Sequence, residues 1–262
     1  TLLTQFSKKI QAKYDLPDSE YSTLHQWSID YPELFWEEVW NDSNVLASKS
    51  WNKIMGKDLF NVRNDSERSG WFEGARLNYA ENLLLRNNDE NVALSFVAEN
   101  GTKHSMSYAE LRAAVSQCAL GMKDMGVSKM DRVAAVIPNC PEAVIGLLAA
   151  ASIGAIWSSC SPDFGIKGIN DRLGQISPKI LITINAYFYN GKEHDCLTKI
   201  REVAKIIPSI EAVYVVPFTE TEIEFQGTEK PWTDLLDYSI NKTIFTQLPF
   251  DHPLYILYSS GT

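Results

Sequence analysis

The sequence predicts an α/β fold, a mostly parallel sheet flanked by helices and preceded by a helical, aromatic-rich extension. Two observations support this prediction. From about residue 92 onward, short apolar runs typical of buried strands alternate with segments of helical periodicity, as in βαβ units. The first 75 residues lack that alternation and hold five of the seven tryptophans: Trp27, Trp36, Trp40, Trp51 and Trp71. We therefore expect an extension over residues 1–75 and an α/β subdomain over residues 76–262.

The extension is predicted to consist of short helices and loops. Pro32 occupies the position of a first helical residue, and Leu34, Phe35 and Val39 follow it as an apolar stripe. A piece of this kind cannot bury so many large rings by itself. We therefore expect the extension to pack on the domain that follows.

The α/β subdomain is predicted from helix starts and apolar strands. Asn78 with Glu81, and Ser107 with Glu110, have the spacing of capping boxes. Predicted strands cover residues 92–98, 132–137, 155–158, 180–184, 212–216 and 254–258, and predicted helices alternate with them. Ligands of such sheets bind beyond the carboxyl ends of the strands, so the loops after residues 137, 158, 184 and 258 are the candidate binding loops.

Composition excludes several classes of function. The chain has 262 residues and a formal net charge of −9, which argues against nucleic-acid binding because that requires a positive field. No apolar run reaches the ~18 residues of a membrane span, so we expect no membrane partner. The four cysteines form no CxxC pair and predict reduced thiols in a cytoplasmic protein.

The strand predicted at 254–258 is followed at once by Ser259, Ser260, Gly261 and Thr262. Small hydroxyl and glycine residues allow phosphate oxygens to approach backbone N–H groups closely, although such residues after a strand are often only a turn. The spacing is not that of a Walker A loop. No GxGxxG and no GxSxG motif occurs, so a dinucleotide-binding oxidoreductase and an α/β-hydrolase both lose their main support.

Two further loops carry candidate ligand contacts. Ser161, Pro162 and Asp163 follow one predicted strand, where they could equally form a turn that starts the next helix. Tyr189 and Lys192 flank an Asn-Gly turn signal after another strand, and Lys192 is either a solvated charge or a phosphate contact. The two loops are predicted to flank one crevice of the doubly wound sheet.

Several segments together resemble the acetyl- and acetoacetyl-CoA synthetases. Residues 71–84 (WFEGARLNYAENLL) are similar to the segment that leads these enzymes into their first α/β subdomain, and residues 154–165 (GAIWSSCSPDFG) look like the acetoacetyl-CoA synthetase form of a variable loop. Residues 189–194 (YNGKEH) fit the same subgroup. Residues 258–262 (YSSGT) look like the start of the adenylate-forming signature, which continues in the family through Thr-Gly to Pro-Lys.

The resemblance implies the first part of the large N-terminal domain of adenylate-forming enzymes and a two-step reaction. A carboxylate, here acetoacetate, attacks the α-phosphate of ATP with the help of Mg²⁺, and the thiol of CoA then displaces AMP. It assigns Ser259, Ser260, Gly261 and Thr262 to the ATP phosphates. It places Ser161, Pro162 and Asp163 at the CoA nucleotide, and Tyr189 and Lys192 where arginines of the acetate enzymes approach the CoA phosphates. Only Lys192 keeps that positive charge.

The resemblance also implies that much of the machinery lies outside these residues. The adenine and ribose contacts, the metal-binding glutamate, the acyl pocket and the lysine of the mobile C-terminal domain all fall beyond residue 262. We therefore expect no catalytic residue within the chain, an incomplete sheet, and no activity from this piece alone. A synthetase for another short-chain carboxylic acid and a noncatalytic binding protein on the same scaffold remain alternatives.

Overall fold

The computed structural model describes residues 1–56, 70–85, 88–239 and 243–259. Its α-helices are α1 (Leu2–Tyr14), α2 (Tyr21–Asp30), α3 (Pro32–Asp42), α4 (Tyr79–Leu84), α5 (Tyr108–Asp124), α6 (Pro141–Ile153), α7 (Ile166–Leu173) and α8 (Leu197–Ile206). Among these described ranges, no helix is both long and apolar enough to cross a membrane.

The strands are short. They are β1 (Ala47–Lys49), β2 (Lys53–Met55), β3 (Trp71–Glu73), β4 (Arg76–Leu77), β5 (Val92–Val97), β6 (Lys103–Ser107), β7 (Arg132–Val136), β8 (Ile156–Cys160), β9 (Ile180–Ile184), β10 (Ala186–Tyr189), β11 (Lys192–Asp195), β12 (Ala212–Val216), β13 (Glu229–Pro231) and β14 (Leu248–Pro249). A 3-10 helix covers Trp232–Leu235.

The chain forms two compact units. One comprises Thr1–Leu77 with Gln247–Asp251, and the other comprises Asn78–Thr246 with His252–Thr262. We call them the aromatic unit and the sheet unit. The predicted domain boundary between residues 75 and 76 stays a prediction.

The sheet unit is built on five parallel strands in the order β13-β12-β9-β7-β8. Side chains alternate between its two faces, as the pleat requires. In β9, Ile180, Ile182 and Ile184 join the cluster under α5 and α6, whereas Leu181 joins the cluster under α7 and α8. The predicted parallel sheet with helices on both faces is confirmed.

The predicted helix starts in the sheet unit are also confirmed. The Asn78 side chain accepts a hydrogen bond from the backbone N–H of Glu81 at the start of α4. Ser107 and Glu110 form a complete capping box at the start of α5. Both caps satisfy N–H groups that a helix leaves unpaired in its first turn.

The prediction of a strand at residues 254–258 is wrong. Tyr255 forms a single isolated parallel bridge with Trp157, and the flanking backbone exchanges two hydrogen bonds with that residue. Leu257 is 71% exposed, so an apolar side chain at this edge of the sheet is not covered by the described residues. A ladder needs pairing over several residues, and this segment pairs at one.

The aromatic unit contains α1–α3 and the short strands β1–β4 and β14. Pro32 is the first residue of α3, as predicted. The small strands were not predicted, because two or three residues are too few to show a period. Trp27 and Trp40 are both buried among residues of the aromatic unit, and Trp40 contacts Phe250, which lies outside residues 1–75. The expectation that residues 1–75 cannot bury their rings by themselves stays a prediction.

Candidate functional site

The β10–β11 hairpin follows β9 directly and carries two of the predicted site residues. Its turn is formed by Asn190 and Gly191, whose φ angles of 51° and 70° are those that an Asn-Gly turn favours. Tyr189 pairs with Lys192 and Tyr187 pairs with His194. Because directly paired residues and residues two apart share a face, all four lie on one side of the hairpin.

The 161–163 loop follows β8 and carries the other three predicted residues. The Ser161 hydroxyl donates to the Asp163 carboxylate over 2.9 Å and accepts from the Asp163 backbone N–H over 3.3 Å. Pro162 is buried, while Ser161 and Asp163 are exposed. Gly165 then caps α7, so the predicted turn that starts a helix is confirmed.

Side-chain contacts join the hairpin to this loop. The Tyr187 hydroxyl interacts with the Asp163 carboxylate, and this interaction shifts the pKa of both groups. From α8, the Lys199 ammonium donates to the carbonyl oxygen of Pro162 and lies 5.8 Å from the centre of the Tyr187 ring. The structure therefore brings together the two loops that were predicted to flank one crevice.

These contacts shift the titration of both partners. The hydrogen bonds from Tyr187 and then Ser161 hold the pKa of Asp163 below its usual value. Burial, followed by the hydrogen bond to Asp163, raises the pKa of Tyr187 to about 12. Asp163 is therefore an anion and Tyr187 a neutral donor at neutral pH.

The surface around this junction combines aromatic rings with positive charge. Tyr189 is 63% exposed and Lys192 is exposed, so both are open to a ligand. The rings of Tyr187 and His194 are stacked, with centroids 5.3 Å apart. Exposed aromatic faces can stack on a base, and an exposed ammonium can pair with a phosphate, so the arrangement is suited to a nucleotide.

The opposite face of the hairpin is anchored in the sheet unit. Glu193 accepts hydrogen bonds from the hydroxyls of Thr219 and Thr221. At the end of β9, the buried Asn185 side chain binds the backbone of the same segment, accepting from Phe218 over 2.8 Å. This network fixes the hairpin at the carboxyl end of β9, where α/β sheets bind their ligands.

A cavity of about 400 Å³ borders the hairpin. Tyr187 forms part of its wall, and the other walls include Phe96, His104, Asn139, Glu142, Phe188 and Phe218. The Glu99 carboxylate accepts from the Gly191 backbone N–H over 3.4 Å, which ties the β5–β6 turn to the β10–β11 turn. The hairpin thus borders both this cavity and the 161–163 loop.

The thiols near the site have raised pKa values. Burial raises the pKa of Cys160 and of Cys196 to about 11. A thiol with so high a pKa has almost no thiolate at neutral pH, and the thiolate is the nucleophile. Neither cysteine is therefore suited to form a thioester with an activated acid.

The predicted phosphate loop is described only in part. Ser260, Gly261 and Thr262 lie outside the described residues, and Ser259 is an exposed residue without regular structure. Just before it, the Tyr258 hydroxyl donates to the Arg172 carbonyl over 2.7 Å. The Arg172 guanidinium lies 4.1 Å from the centre of the Phe164 ring. Helix α7 therefore contacts the residue just before the predicted phosphate loop and the residue just after the 161–163 loop.

No metal site is formed in the described part of the chain. Within residues 1–56, 70–85, 88–239 and 243–259, no three His, Cys, Asp or Glu side chains come together as ligands.

Three residues of the junction were missed by the sequence reasoning. Tyr187 could have been found, because it precedes Tyr189 by two positions and so shares its face of a strand. The same alternation relates Lys192 to His194. Lys199 carries no local signal, since only the folded chain brings it to Pro162.

Comparisons with known proteins agree with the predicted resemblance. A family model described as AMP-binding enzyme matches residues 84–262, and one described as acetyl-coenzyme A synthetase N-terminus matches residues 21–83. An acetoacetyl-CoA synthetase from Xenopus tropicalis is 38% identical over all of the chain and 40% of its own length. A malonamoyl-CoA synthetase from Penicillium aethiopicum is 36% identical over all of the chain and 38% of its own length.

The comparison with solved structures gives a relative of the same kind. The solved structure of acetoacetyl-CoA synthetase from Streptomyces lividans matches 99% of the chain and 39% of its own length, with a TM-score of 0.90 and 35% sequence identity. The chain spans about 40% of the length of the curated relatives it matches. The AMP-binding enzyme model matches well over half of the residues of this chain, and the chain therefore belongs to the AMP-binding enzyme family.

Proposed function

We propose that the chain is part of an AMP-forming acid–thiol ligase that converts acetoacetate, ATP and CoA to acetoacetyl-CoA, AMP and pyrophosphate. One observation carries the proposal. The 161–163 loop and the aromatic, cationic face of the β10–β11 hairpin meet at one edge of a parallel sheet, in a chain similar to acetoacetyl-CoA synthetases. The small-molecule substrates are its partners, and four free thiols, three of them buried, support a cytoplasmic location.

In this proposal the junction binds the nucleotide part of CoA. Lys192 pairs with a CoA phosphate, because it is an exposed cation on the face that approaches the loop. Tyr189 stands where the acetate enzymes have an arginine, so it offers stacking and a hydroxyl rather than charge. Ser161, Pro162 and Asp163 form the opposite side of the site.

The first half-reaction takes place at ATP. The acid carboxylate attacks the α-phosphorus and pyrophosphate leaves, which gives an acyl-adenylate. Ser259, Ser260, Gly261 and Thr262 are proposed to bind the ATP phosphates through backbone N–H groups and hydroxyls. Mg²⁺, which would neutralise phosphate charge, is proposed to be held by ATP and by residues outside the described ranges.

In the second half-reaction the CoA sulfur attacks the acyl carbonyl, and AMP leaves with the bonding electrons. The high pKa values of Cys160 and Cys196 fit this proposal, because the thiol acceptor then comes from CoA and not from the protein.

Another short acid is the second candidate substrate. The malonamoyl-CoA synthetase relative is 36% identical to the chain, and the acetoacetyl-CoA synthetase relative is 38% identical. Sequence identity over these residues therefore distinguishes the two relatives only weakly. The family places the acyl pocket beyond residue 262, which leaves the choice of acid to experiment.

Acid-dependent exchange of pyrophosphate into ATP tests the proposal. The assay compares acetoacetate with acetate, butyrate and malonamate, using a protein of the relatives' full length that carries these residues, with the 262-residue chain in parallel. We expect exchange with acetoacetate from the longer protein only. Exchange with a different acid would overturn the substrate assignment, and none with any acid would favour a noncatalytic protein.

A further inference from the structure

Two side chains that the resemblance does not assign hold the candidate CoA site together. The first is Lys199 in the first turn of α8. It is half-buried, and its ammonium donates to the carbonyl oxygen of Pro162, which is itself buried. A half-buried ammonium group that donates to a backbone oxygen restrains that backbone segment more than a fully solvated ammonium group would. Lys199 therefore restrains the 161–163 loop directly.

The second is Tyr187 in β10. Its ring lies 5.8 Å from the Lys199 ammonium and 5.3 Å from the His194 ring, and its hydroxyl interacts with the Asp163 carboxylate. Tyr187 therefore contacts the loop through its hydroxyl and the hairpin through its ring. Its contacts with Asp163 and Lys199 link the hairpin, the loop and α8.

We propose that Tyr187 and Lys199 are positioning residues, a clamp that fixes the 161–163 loop against the β10–β11 hairpin and thereby sets the affinity for the CoA nucleotide. This inference rests on the proposed function, since it takes CoA as the ligand. An exposed loop and an exposed hairpin each lose conformational freedom when a ligand bridges them, and contacts formed in advance reduce that cost. The clamp therefore affects CoA binding and not the formation of the adenylate.

The test compares four substitutions in a protein of the relatives' full length. Tyr187→Phe removes the hydroxyl and Lys199→Met removes the ammonium. Tyr238→Phe is the matched tyrosine control, because it also loses a hydrogen bond to an aspartate, Asp124, over 3.1 Å. Lys205→Met is the matched lysine control, because Lys205 is also in α8 but exposed and paired with Glu202.

The primary measurement is CoA affinity by titration calorimetry. We expect Tyr187→Phe and Lys199→Met each to raise the Kd for CoA about 5- to 20-fold, and both controls to stay within about twofold. Lys199→Arg should recover part of the lost affinity, because a guanidinium can also donate to the Pro162 carbonyl. In turnover assays the effect should fall on the KM for CoA rather than on kcat.

The outcomes separate this inference from the proposed function. Correctly folded Tyr187→Phe and Lys199→Met proteins that bind CoA as tightly as wild type would overturn the clamp. A wild-type protein that binds no CoA would overturn both the clamp and the proposed function. A wild-type protein that binds CoA but supports no acid-dependent pyrophosphate exchange would contradict the proposed function, while the CoA affinities of the variants would still decide the clamp.

Discussion

The aromatic unit and the sheet unit are stabilised in different ways. In the aromatic unit, Trp40 packs against Trp51, Phe72 and Phe250, with ring centroids 5.0, 4.6 and 6.3 Å apart. In the sheet unit, aliphatic side chains such as Ile182 and Leu181 fill two layers on opposite faces of the sheet. The first core depends on a few large rings and the second on many small contacts.

The two units also differ in how they place polar groups. The aromatic unit buries the carboxylate of Glu38, which is 2% exposed and accepts hydrogen bonds from Lys13 and Tyr14. The sheet unit also buries a carboxylate, that of Glu229, which is paired with Arg201. In addition, its Asp163 and Lys192 side chains remain exposed beside the sheet. A buried, paired carboxylate therefore occurs in both units, and the proposed ligand site of the sheet unit uses exposed charge instead.

The largest effect is expected from Trp40→Ala. Trp40 is 8% exposed and is central to the ring cluster, so its removal should cost about 3–5 kcal/mol of the unfolding free energy of the aromatic unit. Hydrogen exchange of the α3 amides measures the loss. Trp36→Ala is the control, because Trp36 is 40% exposed and should cost much less. Equal protection factors for α3 in both variants would contradict the ring-based account.

Ile182→Ala makes the matching change in the sheet unit. Ile182 is fully buried in β9, and its truncation should cost about 2–5 kcal/mol through lost burial and the cavity left behind. The β9 amides report this change by hydrogen exchange. Ile206→Ala is the matched control, since Ile206 is 51% exposed. Equal exchange of the β9 amides in Ile182→Ala and Ile206→Ala would contradict a stabilising role for Ile182.

Glu38→Gln should have an intermediate effect, about 1.5–3 kcal/mol at neutral pH, because it replaces hydrogen bonds to a buried charge with weaker ones. Burial alone would raise the pKa of Glu38, but the hydrogen bonds from Lys13 and Tyr14 outweigh burial and hold it below the usual value. The stabilisation is therefore fully present above the usual glutamate pKa and is lost as pH falls through the lowered one.

The measurement is urea unfolding of both proteins between neutral and acidic pH. The difference in unfolding free energy between wild type and Glu38→Gln should become smaller as the Glu38 carboxylate is protonated. Glu33→Gln serves as the control, since Glu33 is exposed on the same helix. A gap that did not change with pH would show that the charge of Glu38 has no part in the stability.

A smaller effect is expected on the pKa of Asp163 in the Tyr187→Phe variant. The Tyr187 hydroxyl is the main cause of the lowered pKa of this carboxyl, so its removal should bring that pKa back toward the usual value. Carboxyl-carbon NMR titration measures it. In Tyr238→Phe the same resonance should titrate as in wild type, and a shift of equal size there would show that the Tyr187 contact is not the cause.

Much of the sheet could be predicted, because continuous apolar runs mark strands buried on both faces. The bounds of β9 and β12 match the predicted 180–184 and 212–216. Hairpins were harder to predict. The strands β6 and β11 are rich in polar residues, so hydrophobic patterning does not reveal them. The parallel edge strand β13, which contains Pro231, was missed because proline disfavours a strand assignment.

The candidate site could be predicted where local chemistry determines the structure. The Asn190-Gly191 pair predicts a turn by itself, and that turn places Tyr189 opposite Lys192. The clamp could not be predicted, since the pairing of Tyr187 with Asp163 and of Lys199 with Pro162 depends on how β8, β9 and α8 are arranged in space. Contacts of this kind have no signature in a single sequence.

The central claim, that the hairpin and the 161–163 loop bind the CoA nucleotide, is tested most directly by Lys192→Ala in a protein of the relatives' full length. We expect the KM for CoA to rise about tenfold, as for the loss of one charge-assisted phosphate contact. Lys103→Ala, at an exposed lysine of the other hairpin, should leave that KM within about twofold of wild type. Equal KM values for CoA in the wild type and Lys192→Ala would contradict the account.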